Sequence, residues 1–134
     1  MGELRVILVE DNGDDEFLAL RELARAGIVD VVVARDGAAA VALLEAIDRS
    51  EEGRHATPDF VLLDLQLPKL DGIEVLRRLR ADAGTQGLRV FVLSSSEDPG
   101  ERRACTALGV LGFLPKPLDE AGIARCREAT AASR

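Results

Sequence analysis

Leu4-Arg5-Val6-Ile7-Leu8-Val9 is a nearly continuous apolar run, and it ends on two acids, Glu10-Asp11. A run of that kind marks a strand covered on both faces, the place of a central strand in a parallel sheet. Outward from it the same unit repeats. Phe17, Leu20 and Ala24 recur at helical spacing until Gly27 stops them, and Val31-Val32-Val33 predicts a second strand. Ala38, Val41, Leu44 and Ile47 stripe a second helix. Phe60-Val61-Leu62-Leu63 is a third strand, ending in Asp64. Asp71 stands at an N-cap position, before a third helix that buries Ile73, Leu76 and Leu79. Arg89 to Leu93 predicts a fourth strand, Pro99 to Leu108 a fourth helix and Val110 to Leu114 a fifth strand. From Leu118 onward the pattern predicts a short, weak fifth helix interrupted by Gly122. The polar stretch from Arg49 to Pro58 predicts a surface loop with room for one extra helical turn.

Five β-then-α units in a row imply a parallel sheet with helices on both faces. At this size the expected architecture is a flavodoxin-like (βα)5 α/β fold, doubly wound, with strand order 2-1-3-4-5. A length of 134 residues predicts one domain, 1–134, with no output domain after the fifth helix. Acids outnumber bases 24 to 17, which argues against nucleic acid as a direct partner. No apolar run approaches the roughly 20 residues that span a bilayer, and the opening residues make no signal peptide. Cys105 and Cys126 have no metal or redox spacing and read as reduced core thiols of a cytoplasmic protein. His55 is the one histidine, so chemistry that needs several is excluded.

In such folds a ligand site lies beyond the carboxyl ends of the strands. Glu10-Asp11 end the first strand, Asp64 the third and Ser94-Ser95-Ser96 the fourth, while the fifth leads into Lys116-Pro117. Carboxylates gathered at one edge repel one another unless a cation holds them. Oxygen donors without Cys or His point to a hard ion, and Mg²⁺ suits a site that handles phosphate. Lys116 adds an argument of its own. Fifteen of the 17 cationic residues are Arg, and only Lys69 and Lys116 are Lys. A compact ammonium at this strand end suits a single phosphoryl oxygen better than a planar fork. The group is built for phosphoryl transfer.

Val9-Glu10-Asp11-Asn12, the stretch from Leu63 to Gly72 around Asp64, Leu93-Ser94-Ser95 and Phe113-Leu114-Pro115-Lys116-Pro117 together resemble a response-regulator receiver domain of bacterial two-component signalling, over residues 4–131. The opening from Glu10 to Asp15, the form Leu67-Pro68-Lys69-Leu70-Asp71-Gly72 and the long loop before the third strand are similar to stand-alone receivers that serve bacterial phytochrome histidine kinases. The resemblance implies that Asp64 becomes the aspartyl phosphate. It implies that Asp11, Glu10 (largely through water), Asp64 and the backbone carbonyl of Gln66 hold Mg²⁺. Lys116 and the Ser94 hydroxyl would contact the phosphoryl group, Ser94 and Phe113 would form the switch, and the bond before Pro117 would be cis.

Each assignment has a plainer alternative. Asp14 and Asp15 fit the first turn of a helix, where negative charge is favoured. Ser95 and Ser96 fit turn chemistry, Lys69 a surface cation, and Phe113 an ordinary apolar strand residue. A small α/β enzyme is the rival class. A Gly-rich phosphate loop would support it and the sequence has none, and Asp64-Leu65-Gln66 is not the Asp-x-Asp of a dehalogenase-type phosphatase. The expected role is therefore that of a phosphoacceptor without turnover of a separate substrate. Its expected partners are a sensor histidine kinase, with a bacteriophytochrome implied, and a second copy paired through strand five and helices four and five. The charge split motivates the pairing: residues 1–67 carry −9 and residues 68–134 carry +2.

Overall fold

The computed structural model describes residues 4–49, 57–94 and 97–132. The strands are β1 (Arg5–Val9), β2 (Asp30–Ala34), β3 (Phe60–Asp64), β4 (Val90–Leu93) and β5 (Gly112–Leu114). The helices are α1 (Gly13–Arg25), α2 (Gly37–Arg49), α3 (Gly72–Ala81), α4 (Pro99–Ala107) and α5 (Glu120–Ala132). All strand pairs are parallel. The order is β2-β1-β3-β4-β5, the doubly wound order expected from the sequence.

Val6, Leu8 and Val9 of β1 and Phe60 to Leu63 of β3 are fully buried, as their unbroken apolar runs require. Side chains alternate across the sheet and build two separate layers. One layer joins Ile7, Val9, Val61 and Leu63 to α2, α3 and Cys105 of α4. The other joins Val6, Leu8, Phe60 and Leu62 to α1 and α5 through Ala19, Leu23, Ile123 and Cys126. Both cysteines are free and buried, and among the described residues no helix is long and apolar enough to cross a membrane.

Several expectations are corrected. The fifth helix is not short: α5 has 13 residues, as many as α1 and α2. Gly122 does not interrupt it. Its N–H donates to the Asp119 carboxylate at 2.8 Å, which anchors the first turn, and a Cβ there would press on Leu118 at 3.3 Å. The α1 stripe is displaced, because Phe17 is 63% exposed while Ala19 and Leu23 are buried. In α2, Ala40 is buried and Ala38 is exposed. Strands β4 and β5 begin one and two residues later than expected. The extra turn expected around residues 50–56 lies outside the described residues.

Two glycines set the loop after β3. A Cβ on Gly72 would stand 2.5 Å from the carbonyl oxygen of Asp64, and one on Gly37 would stand 1.8 Å from that of Leu70. No larger residue fits either place. Within the loop, the Pro68 carbonyl accepts from Leu70 at 2.7 Å across Lys69, whose φ of 68° makes a tight γ-type turn. Lys69 also pairs with Asp36 at 3.4 Å, just before α2.

Candidate functional site

In the parallel order β2-β1-β3-β4-β5 the carboxyl ends of β1 and β3 lie side by side and that of β5 lies on the same edge beyond β4, so their terminal polar residues share one edge. Glu10 follows β1 and continues its ladder by donating from its N–H to the Ala34 carbonyl at 3.0 Å. Asp64 is the last residue of β3. Both are buried, at 1% and 2% exposure, whereas Asp11 is exposed. One carboxylate oxygen from each of the three lies within 4.8 Å of the others. Asn12 caps α1 by accepting from the Asp15 N–H at 3.0 Å, and its own N–H donates to Glu10 at 3.2 Å.

Lys116 crosses to this cluster from beyond β5. Its Nζ lies 2.9 Å from Glu10, 3.0 Å from Asp64 and 3.3 Å from Asp15. The three N–H groups of an ammonium therefore have three carboxylate partners. The peptide bond between Lys116 and Pro117 is cis, as expected. The second oxygen of Asp64, Oδ1, accepts from the Gln66 backbone N–H at 3.0 Å.

One ammonium does not balance this many acids. Burial, with Asp64 close by, pushes the Glu10 carboxyl up to about 7 even though the Lys116 hydrogen bond pulls it down. Burial alone would lower Lys116, yet its hydrogen bonds to Glu10 and Asp64 carry it above the ordinary lysine value. A hard divalent cation fits the donor set: three clustered carboxylates, no sulfur or imidazole, and unmet demand for positive charge. A cleft of about 550 Å³ opens beside it, its lining including Asp11, Leu65, Gln66, Pro68, Arg77 and Glu101.

Just past β4, Ser94 is half-buried, and its N–H donates to the Leu114 carbonyl of β5 at 3.1 Å. Phe113 is half-buried next to it in the sheet, paired with Val92. The structure thus brings Glu10, Asp11, Asp64 and Lys116 together, with Ser94 just past the end of β4 and Phe113 within β5. Asp15 is the residue that sequence reasoning missed as a site member: it occupies the first turn of α1, as read, and also reaches Lys116. No spacing rule signals a contact across 101 residues.

This arrangement has known counterparts. The response regulator receiver domain family matches residues 6–126. The chain belongs to that family. The receiver is 36% identical over 114 residues to the probable methanogenesis regulatory protein FilR2 of Methanothrix harundinacea, covering 84% of this chain and 72% of FilR2. It is 30% identical to the two-component response regulator ORR1 of Oryza sativa subsp. indica, spanning 98% of this chain but 57% of ORR1. Among solved structures, the receiver superposes on the bacteriophytochrome response regulator AtBRR with a TM-score of 0.80 and 31% identity, covering 98% of this chain and 94% of AtBRR. It also superposes on the receiver domain of the sensor histidine kinase PA1611 of Pseudomonas aeruginosa PAO1, which holds a magnesium ion in its active-site cleft. There the TM-score is 0.79 at 26% identity, over 97% of this chain and 99% of that one.

Proposed function

We propose that this receiver accepts a phosphoryl group on Asp64 from a phosphohistidine of a sensor histidine kinase, in a Mg²⁺-dependent reaction. The observation that carries the reading is the Lys116 ammonium set against Asp64 and Glu10 at the strand ends. A carboxylate oxygen of Asp64 attacks phosphorus, the P–N bond breaks, and the imidazole leaves with its electron pair. The Gln66 N–H and Lys116 hold the two Asp64 oxygens and orient the nucleophile. Lys116 and the Ser94 hydroxyl then donate to phosphoryl oxygens as charge builds on them.

Glu10, Asp11, Asp64 and the Gln66 backbone carbonyl would hold Mg²⁺. When bound, the ion supplies positive charge at the phosphoryl oxygens and offsets their repulsion by the acids. The magnesium ion in the PA1611 receiver supports this assignment. Phosphorylation draws Ser94 inward and Phe113 follows, so the face formed by α4, β5 and α5 changes its partner preference by population shift. The chain acts as a cytoplasmic phosphoacceptor rather than as an enzyme with its own substrate, and it signals by protein association or onward phosphotransfer. Its free, buried cysteines suit a reducing compartment.

Similarity to AtBRR supports a bacteriophytochrome as the kinase, and Phe17, exposed on α1, offers that kinase an apolar contact near the acidic edge. Pairing of two copies through β5, α4 and α5 is supported by Leu111, which is 48% exposed just before β5. Incubation with Mg²⁺ and acetyl phosphate, followed by intact mass, tests the central claim. The wild-type chain gains one phosphate and Asp64→Asn gains none; labelling of that variant above about a tenth of wild type moves the acceptor elsewhere. Sedimentation with and without beryllofluoride tests the pairing, and a monomer in both states at tens of micromolar refutes it.

A further inference from the structure

Phe113 is held by two arginines from two different helices. The Arg102 guanidinium, on α4, lies over its ring, 4.6 Å from the centroid. Arg125, on α5, donates to the Phe113 carbonyl at 3.1 Å. The second arm of Arg125 lies 2.9 Å from where a Cβ on Gly112 would stand, so the absence of a side chain there lets the guanidinium lie close across the strand. Side chain and main chain of one residue are thereby held by two different helices. The main chain has a direct line to the acidic edge, because Leu114, the next residue, accepts from the Ser94 N–H at 3.1 Å.

We infer that Arg102 is a positioning residue of the phosphorylation response: it holds the Phe113 ring in its half-buried place and so opposes the inward ring movement that a phosphoryl group on Asp64 favours. The inference rests on the reading of Asp64 and Phe113 given above. An inward ring leaves the guanidinium, and their attraction is lost in the active arrangement alone. A cation over an aromatic ring at an exposed site biases a two-state equilibrium about 2- to 5-fold. By linkage the same factor weakens the apparent affinity for any ligand that selects the inward ring. Arg125 contributes no such bias, since its partner is a carbonyl that stays in the strand while the ring turns.

Titration with beryllofluoride in the presence of Mg²⁺ tests this, on the wild-type chain, Arg102→Ala, Arg102→Lys and Arg103→Ala. Arg102→Ala is expected to bind about 2- to 5-fold tighter than wild type. Arg102→Lys, which keeps a cation near the ring, falls between them. Arg103→Ala removes the same charge from the next, exposed position and leaves affinity unchanged. A second readout needs no ligand. The chain has four Phe and neither Trp nor Tyr, so 4-fluorophenylalanine gives four ¹⁹F signals, and Phe113→Leu assigns the one that matters. In Arg102→Ala that signal moves toward its beryllofluoride-saturated position. Wild-type affinity in Arg102→Ala, weaker binding, or a gain matched by Arg103→Ala overturns the inference while the reading of Asp64 stands. If the wild-type chain binds no beryllofluoride, the reading of Asp64 fails and the inference fails with it.

Discussion

The two edges of the sheet are each organised by one cation, and they use it in opposite ways. At the carboxyl edge, Lys116 gathers three carboxylates. At the amino edge, Arg80, in the last turn of α3, donates to four backbone carbonyls. These are Leu108 at 2.7 Å, Gln86 and Leu88 at 2.8 Å, and Gly109 at 3.2 Å. A planar fork with five donors suits several fixed carbonyls, whereas a point charge on a flexible stem suits mobile anions. Burial holds Arg80 below its ordinary pKa, while its neighbours hold Lys116 above. The carbonyls around Arg80 belong to the loops before β4 and β5 and cannot be exchanged, so that pairing ties the two loops together. The partners of Lys116 are charged, unbalanced and, in Asp64, open to covalent change. What separates a staple from a site is whether the acceptors can be replaced.

The contrast is broken most directly by deleting each cation. Lys116→Ala is expected to slow phosphorylation by acetyl phosphate about 100-fold or more, read from the rate of mass gain. Arg80→Ala leaves the labelling rate within about twofold and costs about 3 kcal/mol of stability in urea unfolding, because carbonyls lose their charged donor. A Lys116 variant that labels at the wild-type rate, or an Arg80 variant as stable as wild type, removes the distinction.

Mg²⁺ sharpens the comparison at a smaller scale. Millimolar Mg²⁺ should raise the Tm of the wild type and of Arg80→Ala by several degrees, and that of Asp11→Asn far less, since only the folded state assembles the acids. Equal shifts in all three would place the ion elsewhere.

The smallest expected effect is a pH slope. Glu10 stands at about 7 in the fold against an ordinary 4.5, so between those values the folded chain holds a proton that the unfolded chain has lost. Without Mg²⁺ this contribution is fully present below pH 4.5 and is lost as pH rises to about 7. A Tm that falls across that window is the expected signature, and Glu10→Gln flattens it. The same slope in wild type and variant would assign it to another group.

Much of the carboxyl edge was legible in the sequence because its signals are local. An apolar run that stops at an acid gives both the strand and the residue placed beyond its end, and this holds for Glu10 and for Asp64. The strand order followed from the alternation of units. Arg80 and Asp15 were illegible for the opposite reason: each acts on partners distant along the chain, and Asp15 already had an adequate local reading in the first turn of its helix. Helix α5 was misjudged because Gly122 was weighed by helix propensity, while in the fold it supplies the space that Leu118 needs. The Phe17 stripe failed because two helical faces of α1 carry apolar residues and periodicity alone does not say which one meets the sheet. Arg102 and Arg125 entered only through the net charge of residues 68–134, and nothing local signals their grip on Phe113.

The division of the interior into two layers has a consequence for how this chain tolerates change. The sheet stands between the cluster under α2, α3 and α4 and the cluster under α1 and α5, so side chains such as Leu76 and Leu23 share no partner. Substitutions in different layers are therefore independent, and their effects add. A lineage, or an engineer, can remodel the surface that meets one protein by repacking the layer beneath it while leaving the opposite layer in its ancestral state.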